Sequence, residues 1–420
     1  MDDRFKARLA VEALRNGVPN REAVRKLGCN QPRVEGQFAN MLDKVTDPLI
    51  PCENSQGMLV SGDFGTGKSH LLSYLEQLAL SRGYVCSKVS ISKETPLYDL
   101  GKVFLAAIEN GRIPDKKGRF IEEIAHSLKP GSDQHTSFFH WTEKAAEEGL
   151  LSSIFPASVK IHELCHDQEL LSEIEAFWSG DRVLMKTVRD GLKLVNQYEY
   201  FKVQAPKVTE LPLQRLRFTI ELIKAAGYKG WVILLDEIEL MGSYSLLQRG
   251  RSYSEIARWM GKVEGESFPG LLFVGAVTDD FALEVISPSG RKKDWDYIPN
   301  KVRMNTRYFS LVPKLKIGME LLQKNCLSLE SPSEKNIQDT VETLRNLYQL
   351  AFDWFPPAQE VQVGGAGEWG RMRYKVRSVI NEWDLKRLFP DYNPEFVIDS
   401  YSTTYDEDTD LENSSDENEE

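Results

Sequence analysis

No stretch of the 420 residues reaches the ~18 consecutive apolar positions that a membrane-spanning helix needs. The opening, MDDRFKARLAVEALR, is charged throughout, so no secretory signal is expected. Cysteine is scarce: Cys29, Cys52, Cys86, Cys165 and Cys326 are scattered without a CxxC pair. That excludes the common zinc spacings and fits a reducing cytoplasm. Six histidines offer one pair, His162 and His166 around Cys165. An HxxxH spacing would put both rings on one helical face, but no further ligands accompany them, and a surface helix is the better reading. Basic residues are missing from the end of the chain, where Asp406 to Glu420 carry nine acidic groups and no Lys or Arg. The remainder holds 52 basic and 54 acidic groups, so its balance is −2 rather than the −11 of the whole. The tail is predicted to be disordered and to aid solubility, with competition for a basic groove as the alternative. The near-neutral body neither requires nor excludes a basic DNA-binding stripe. No internal repeat is visible. The 41% hydrophobic and 27% charged content describes a soluble globular chain with room for more than one core.

The stretch GMLVSGDFGTGKSHLL, Gly57 to Leu72, fits G-x-x-x-x-G-K-[ST] through Gly62, Gly67, Lys68 and Ser69. Met58–Ser61 reads as a buried strand and Ser69–Leu80 as an amphipathic helix, the setting this motif requires. The turn Gly62-Asp63-Phe64-Gly65-Thr66-Gly67-Lys68-Ser69-His70 is therefore expected to bind a nucleotide. Its glycines let backbone N–H groups face inward beside a positive helix end, which makes an anion cradle. Lys68 is expected to reach the β and γ phosphates of ATP, and Ser69 to ligate Mg²⁺. The plainer alternative is a glycine turn that binds nothing.

Downstream, WVILLDEIELM supplies a short apolar run, Val232–Leu235, that suits a central parallel strand. Asp236 is expected at its C-terminal end, where ligands bind in open α/β sheets, to hold the water shell of Mg²⁺. Glu237 is expected to polarise the attacking water. In LLFVGAVTDDF, Thr278 is a candidate to orient that water, with Asp279 as runner-up; a strand end with no role is the alternative. Near the C-terminus Met372, Val376, Val379, Ile380 and Trp383 recur at helical spacing, with Arg371, Arg373 and Arg377 near the helix start. A solvated basic face is the common fate of such arginines.

The expected fold class is α/β: a P-loop NTPase (AAA+-like) parallel sheet with a helical N-terminal segment, a large helical insertion and a C-terminal helical lid. Residues 1–48 read as helices. Asn20, preceded by Pro19, caps one that runs to Leu27; Gly28-Cys29-Asn30 turns; a second turns Val34, Phe38 and Leu42 inward. This resembles a helix-turn-helix, and a collar packed on the core is the alternative. The core, 49–314, is expected to hold a strand at Tyr84–Ile91 and a helix at Leu97–Asn110. After an insertion near Gly111–Pro212, with helices at Gln168–Trp178 and Asp181–Leu194, come a helix at Leu213–Gly227 and a last strand at Arg307–Val312. Helices at Leu315–Leu329, Glu334–Trp354 and Arg371–Leu388 make up a lid over 315–400, and 401–420 is the tail. The loop PPAQEVQVGGAGEWG separates the last two helices.

Gly370-Arg371-Met372-Arg373 resembles the G-D-x-R "sensor 2" pattern of AAA+ ATPases of the origin-recognition type, with Arg371 where Asp is usual. The resemblance implies that Arg373 reaches the γ-phosphate from a lid. It also implies an arginine donated by a neighbouring subunit of a homo-oligomer; Arg303 is the first candidate, then Arg291 and Arg307. ALRNGVPNREAVRKLG, QPRVEGQF, GDFGTGKSHLL, LLDEIE and GRMRYKVRSVINEWDLKRLFPDY together resemble the ATP-binding proteins of BREX phage-defence systems (BrxD- and BrxC-like), over about Glu12 to Tyr392. The resemblance implies a bacterial cytoplasmic ATPase working beside other defence proteins of methyltransferase, helicase or nuclease type, with double-stranded DNA as a candidate ligand. A small-molecule kinase would not need Glu237 and usually carries an arginine-rich lid absent here. An ATP-dependent assembly scaffold and a DNA-binding regulator stay open.

Overall fold

The computed structural model describes residues 3–18, 20–46, 55–357 and 372–391. Pro19, Cys52, Gly370, Arg371 and the acidic tail lie outside the described residues, as does most of the loop before the last helix. Three helices open the chain: α1 (Asp3–Arg15), α2 (Arg21–Leu27) and α3 (Pro32–Thr46). Strand β1 (Gln56–Ser61) leads through the glycine turn into α4 (Lys68–Ser81), followed by β2 (Val85–Ser90) and α5 (Leu100–Glu109). The segment after α5 carries β3 (Gly111–Arg112), α6 (Phe120–Ala125), α7 (Asp133–Glu147), α8 (Ile154–Leu164), α9 (Gln168–Ser179) and α10 (Met185–Leu194). Helix α11 (Leu211–Ala225) feeds β4 (Trp231–Asp236). Then come α12 (Leu246–Trp259), β5 (Leu271–Val277), α13 (Asp294–Arg303), α14 (Val312–Lys324), β6 (Cys326–Ser328), α15 (Glu334–Phe352) and α16 (Met372–Leu388).

The chain is a mixed α/β protein with a six-stranded sheet in the order β3-β2-β4-β5-β1-β6. Every pairing is parallel except the edge pair β2–β3. All residues of β4 and β5 are buried, as expected of central parallel strands covered on both faces. Side chains alternate along them. Trp231, Ile233 and Leu235 join a core with the helices after α5, while Val232 and Leu234 join Phe38 of α3 and Leu72 of α4 on the opposite face. The helices after β3 share the first core through Phe138, Phe155 and Trp178, whose rings each lie 5.0–5.6 Å from Phe218 of α11.

A third core joins the two ends of the chain. Ala10 and Leu14 of α1 pack with Leu344 and Tyr348 of α15 and Ile380 and Trp383 of α16. Arg8 Nε donates to the Ala351 carbonyl at 2.7 Å, and Arg15 pairs with Asp384 at 3.3 Å. The α2–α3 pair begins with the expected cap: Asn20 Oδ1 accepts from the Glu22 and Ala23 N–H groups. Val34, Phe38 and Leu42 of α3 are buried against the sheet.

The closing strand differs from expectation. Arg307–Val312 forms no strand: Phe309–Leu311 is a 3-10 turn and Val312 opens α14. Pro313 explains this, because proline suits the first helical turn and lacks the N–H that a ladder needs. The last strand is β6, three residues paired with Leu59–Ser61 of β1, so the helix expected to reach Leu329 stops at Lys324. The histidine pair also changes. Helix α8 ends at Leu164, so His166 lies beyond it, while His162 bonds Glu175 at 3.1 Å and packs on Trp178. No group of three or more metal-ligating side chains occurs among the described residues, and none of their helices is long and apolar enough to cross a membrane.

Candidate functional site

The turn between β1 and α4 has the backbone the sequence demands. Gly65 and Gly67 sit at φ 81° and 105°, in the left-handed region that favours glycine. The Phe64 N–H donates to Asp63 Oδ1 at 2.7 Å and Thr66 Oγ1 to the Asp63 carbonyl at 2.8 Å, which closes the loop on itself. The buried ammonium of Lys68 donates to the Gly62 carbonyl at 2.7 Å and the Asp63 carbonyl at 3.3 Å. Phe64 through Leu71 line a cavity.

Asp236 enters from the end of β4. Its Oδ1 accepts the Glu237 N–H at 3.1 Å, and its Oδ2 lies 3.7 Å from Lys88 Nζ. Lys88 also donates to the Ser69 carbonyl at 2.9 Å and Ser73 Oγ at 3.1 Å, so it ties the acid to the loop helix. Glu237 is exposed at the cavity and has φ 61°, uncommon for a residue with a side chain. Burial, then the Asp236 charge, raises its carboxyl above the ordinary range; Arg373 is the first charge opposing this. Strand β5 lies between β4 and β1; Thr278, just past its end, is buried and is not among the residues lining the cavity.

Arg373 stands in the first turn of α16, with its guanidinium 5.5 Å from the Phe64 ring centre. A Cβ on Gly17 would lie 3.4 Å from its Cδ, so the arginine stem rests on the end of α1. Arg373, Lys68, Ser69, Asp236 and Glu237 thus line one cavity. Arg303 does not. It is exposed at the end of α13, as an arginine acting on another subunit would have to be. His70 lines the cavity, but its Nε2 meets the Gly28 carbonyl at 2.7 Å, so its ring holds the turn between α2 and α3. Burial lowers its pKa below the ordinary value.

Several lining residues were not anticipated. Leu14, Val18, Leu27 and the turn Gly28–Gln31 form an N-terminal wall, and Met372 and Val376 of α16 also line the cavity. Gln31 exchanges two hydrogen bonds with the backbone of Glu330, each 2.9 Å long, which joins this wall to the chain after β6. No local pattern marks these contacts. Lys88, which is not among the lining residues but lies beside Asp236, had a signal, a lone lysine in the run VCSKVSI. Glu239 had one as well, a second acid two positions past Glu237. Glu239 is 7% exposed, and its Oε2 has no hydrogen-bond partner among the described residues. Burial pushes its pKa up to about 7, with the Lys68 ammonium as the main opposing influence.

This donor set fits a divalent cation held chiefly by phosphates and water. Ser69 offers one hydroxyl at the helix start, Asp236 a carboxylate, and Glu239 an orphaned buried oxygen. The apolar lining residues Leu14, Val18, Met372 and Val376 suit an apolar ring.

A family model described as "BREX system ATP-binding protein BrxC/D" matches residues 4–126 and 209–351. The gap spans α7 to α10, and α16 lies beyond the matched residues. Neither the curated proteins nor the solved structures include a significant match. With the glycine turn, the acid-bearing strand and the N-terminal wall all inside the match, the chain belongs to the family of BREX system ATP-binding proteins, BrxC/D.

Proposed function

We propose that the chain is a Mg²⁺-dependent ATPase of the AAA+ kind, an ATP-driven switch or motor acting on or near DNA in phage defence. Family membership itself implies ATP binding, a role in phage defence and other BREX proteins as partners. The observation that carries the finer reading is the meeting of Lys68, Asp236, Glu237 and Arg373 around one cavity. In this reading Lys68 exchanges the Gly62 and Asp63 carbonyls for phosphate oxygens. Ser69 and Asp236 would hold Mg²⁺. When bound, Mg²⁺ neutralises charge on the phosphates. Glu237 takes the proton of a water whose oxygen attacks the γ-phosphorus as the bond to ADP breaks. Thr278 orients that water, and Arg373 holds γ-phosphate charge from α16. The apolar lining takes the adenine ring. Arg303 serves a neighbouring copy in a homo-oligomer.

The test is ATP binding and phosphate release measured on the same preparations. Glu237→Gln should retain ATP and lose turnover by ~10²–10⁴, the usual worth of a general base. Normal hydrolysis by that variant would remove Glu237 from the reaction.

A direct DNA contact is favoured by one observation. Lys186, Arg189 and Lys193 recur on one exposed face of α10, opposite buried Val188 and Leu192, and Arg182 immediately precedes them. Lys193 lies over the Tyr198 ring at 5.4 Å, and Tyr200 is 66% exposed. Lys193 is paired with Asp190 at 3.0 Å on the same face, which leaves Arg182, Lys186 and Arg189 as the charges to meet a phosphate backbone. Reversing Lys186 and Arg189 to Glu should weaken duplex binding and flatten its salt dependence. Unchanged binding would move any DNA contact elsewhere.

A further inference from the structure

We propose that Glu239 is the residue that makes this site select metal-loaded over metal-free nucleoside triphosphate, by accepting hydrogen bonds from water on the bound cation. The proposal rests on the ATP-site reading and adds a residue to it. Glu239 lies in the 3-10 turn Ile238–Ser243; the residue is buried and lines the cavity, close enough to Lys68 for the ammonium to act on its carboxyl. The turn is held firmly, since Ile238 and Met241 are in the core and the Leu240 N–H donates to the Glu237 carbonyl at 3.1 Å.

A buried acceptor without a donor is costly, and native proteins rarely leave one. None of the described residues supplies the missing donor for Oε2. Lys68 is bonded to two loop carbonyls and is the group that phosphates would claim. The phosphates of a fully ionised triphosphate bring only acceptors. Water on a divalent cation brings O–H donors together with positive charge, which is what a carboxylate in this place requires. A metal-free triphosphate would instead face Asp236, Glu237 and Glu239 together, with Lys68, Lys88 and Arg373 as the nearby cations. Glu239 therefore acts on the nucleotide's metal state and need not touch the reacting atoms.

The experiment is ATP titration by calorimetry at about pH 8.5, above the Glu239 pKa of about 7 so that the carboxylate is charged, in excess Mg²⁺ and in EDTA, on wild type, Glu239→Gln and Glu239→Asp. Wild type should bind far more tightly with Mg²⁺. In Glu239→Gln the ratio of the two affinities should shrink about tenfold, chiefly through tighter binding in EDTA, as expected when a like charge is removed from a partly buried site. Glu239→Asp should keep most of the ratio. Melting without nucleotide provides the second readout: Glu239→Gln should melt no lower than wild type, since it removes a buried charge. An unchanged ratio in Glu239→Gln overturns the proposal, as does a fall in melting temperature with equal loss of binding in both conditions. Wild type that binds no ATP even with Mg²⁺ overturns the ATP-site reading itself, and this proposal with it.

Discussion

In the proposed reading, Lys68 is the residue on which phosphate binding depends. Its ammonium lies inside the loop, bonded to the Gly62 and Asp63 carbonyls, so it is already placed where loop and cavity meet. Lys68→Ala should abolish ATP binding in a titration; retained affinity would mean that the loop holds something other than a triphosphate. Arg373 is held differently, by the Phe64 face and the end of α1, and its charge reaches Glu237. Arg373→Ala should therefore lower turnover more than affinity, and an unchanged rate would return the residue to a solvated face. The acid at the end of β4 and the lysine of the loop were legible from a few adjacent residues, because the chemistry needs those types at that spacing. Glu239 was not, because its direction depends on the sharp break at Glu237, where φ turns positive.

At the scale of elements, the cavity is built from pieces distant in sequence. Gln31 joins the α2–α3 turn to the chain after β6, and α1 completes the core of α15 and α16. Gln31→Ala would leave the Glu330 N–H and carbonyl without these partners, at a cost of ~1–3 kcal/mol in chemical denaturation if they stay buried, and should also weaken ATP binding. Trp383 fills the α1–α15–α16 core, but its indole N–H has no partner among the described residues. Trp383→Ala should cost about 3–5 kcal/mol. Trp383→Phe removes the unpaired N–H and should cost much less, and equal losses for the two would contradict this account of the core. These contacts were illegible for a physical reason. Periodicity reports which face of a helix is buried and says nothing of what buries it. The helix-turn-helix spacing was read correctly as two helices and a turn, yet the turn lines the cavity and α3 faces the sheet. The last strand was missed because three residues carry little pattern, and only their pairing with β1 defines them.

Over the whole molecule, one sheet brings the glycine turn and the acidic strand end to the same edge, with β5 between them, and the first and last helices close over that edge. The α/β class and the helical character of the segment after α5 followed from alternating strand and helix signals. Arg303, exposed on α13, raises the question of assembly. Arg303→Ala should keep ATP binding and lose about tenfold or more in turnover, by the logic of an arginine supplied in trans. Mixing it with Glu237→Gln should restore part of the activity, since a mixed interface pairs an intact arginine with an intact acid. No restoration at any ratio would remove the shared site. The most direct test of the central claim is phosphate release by wild type and Glu237→Gln, with and without duplex DNA, over a range of protein concentration, with bound ATP measured alongside. The account predicts Glu237-dependent turnover that rises steeply with concentration and further with DNA, while both proteins hold ATP. Bound ATP without turnover in every condition would contradict it and leave an ATP-dependent assembly scaffold.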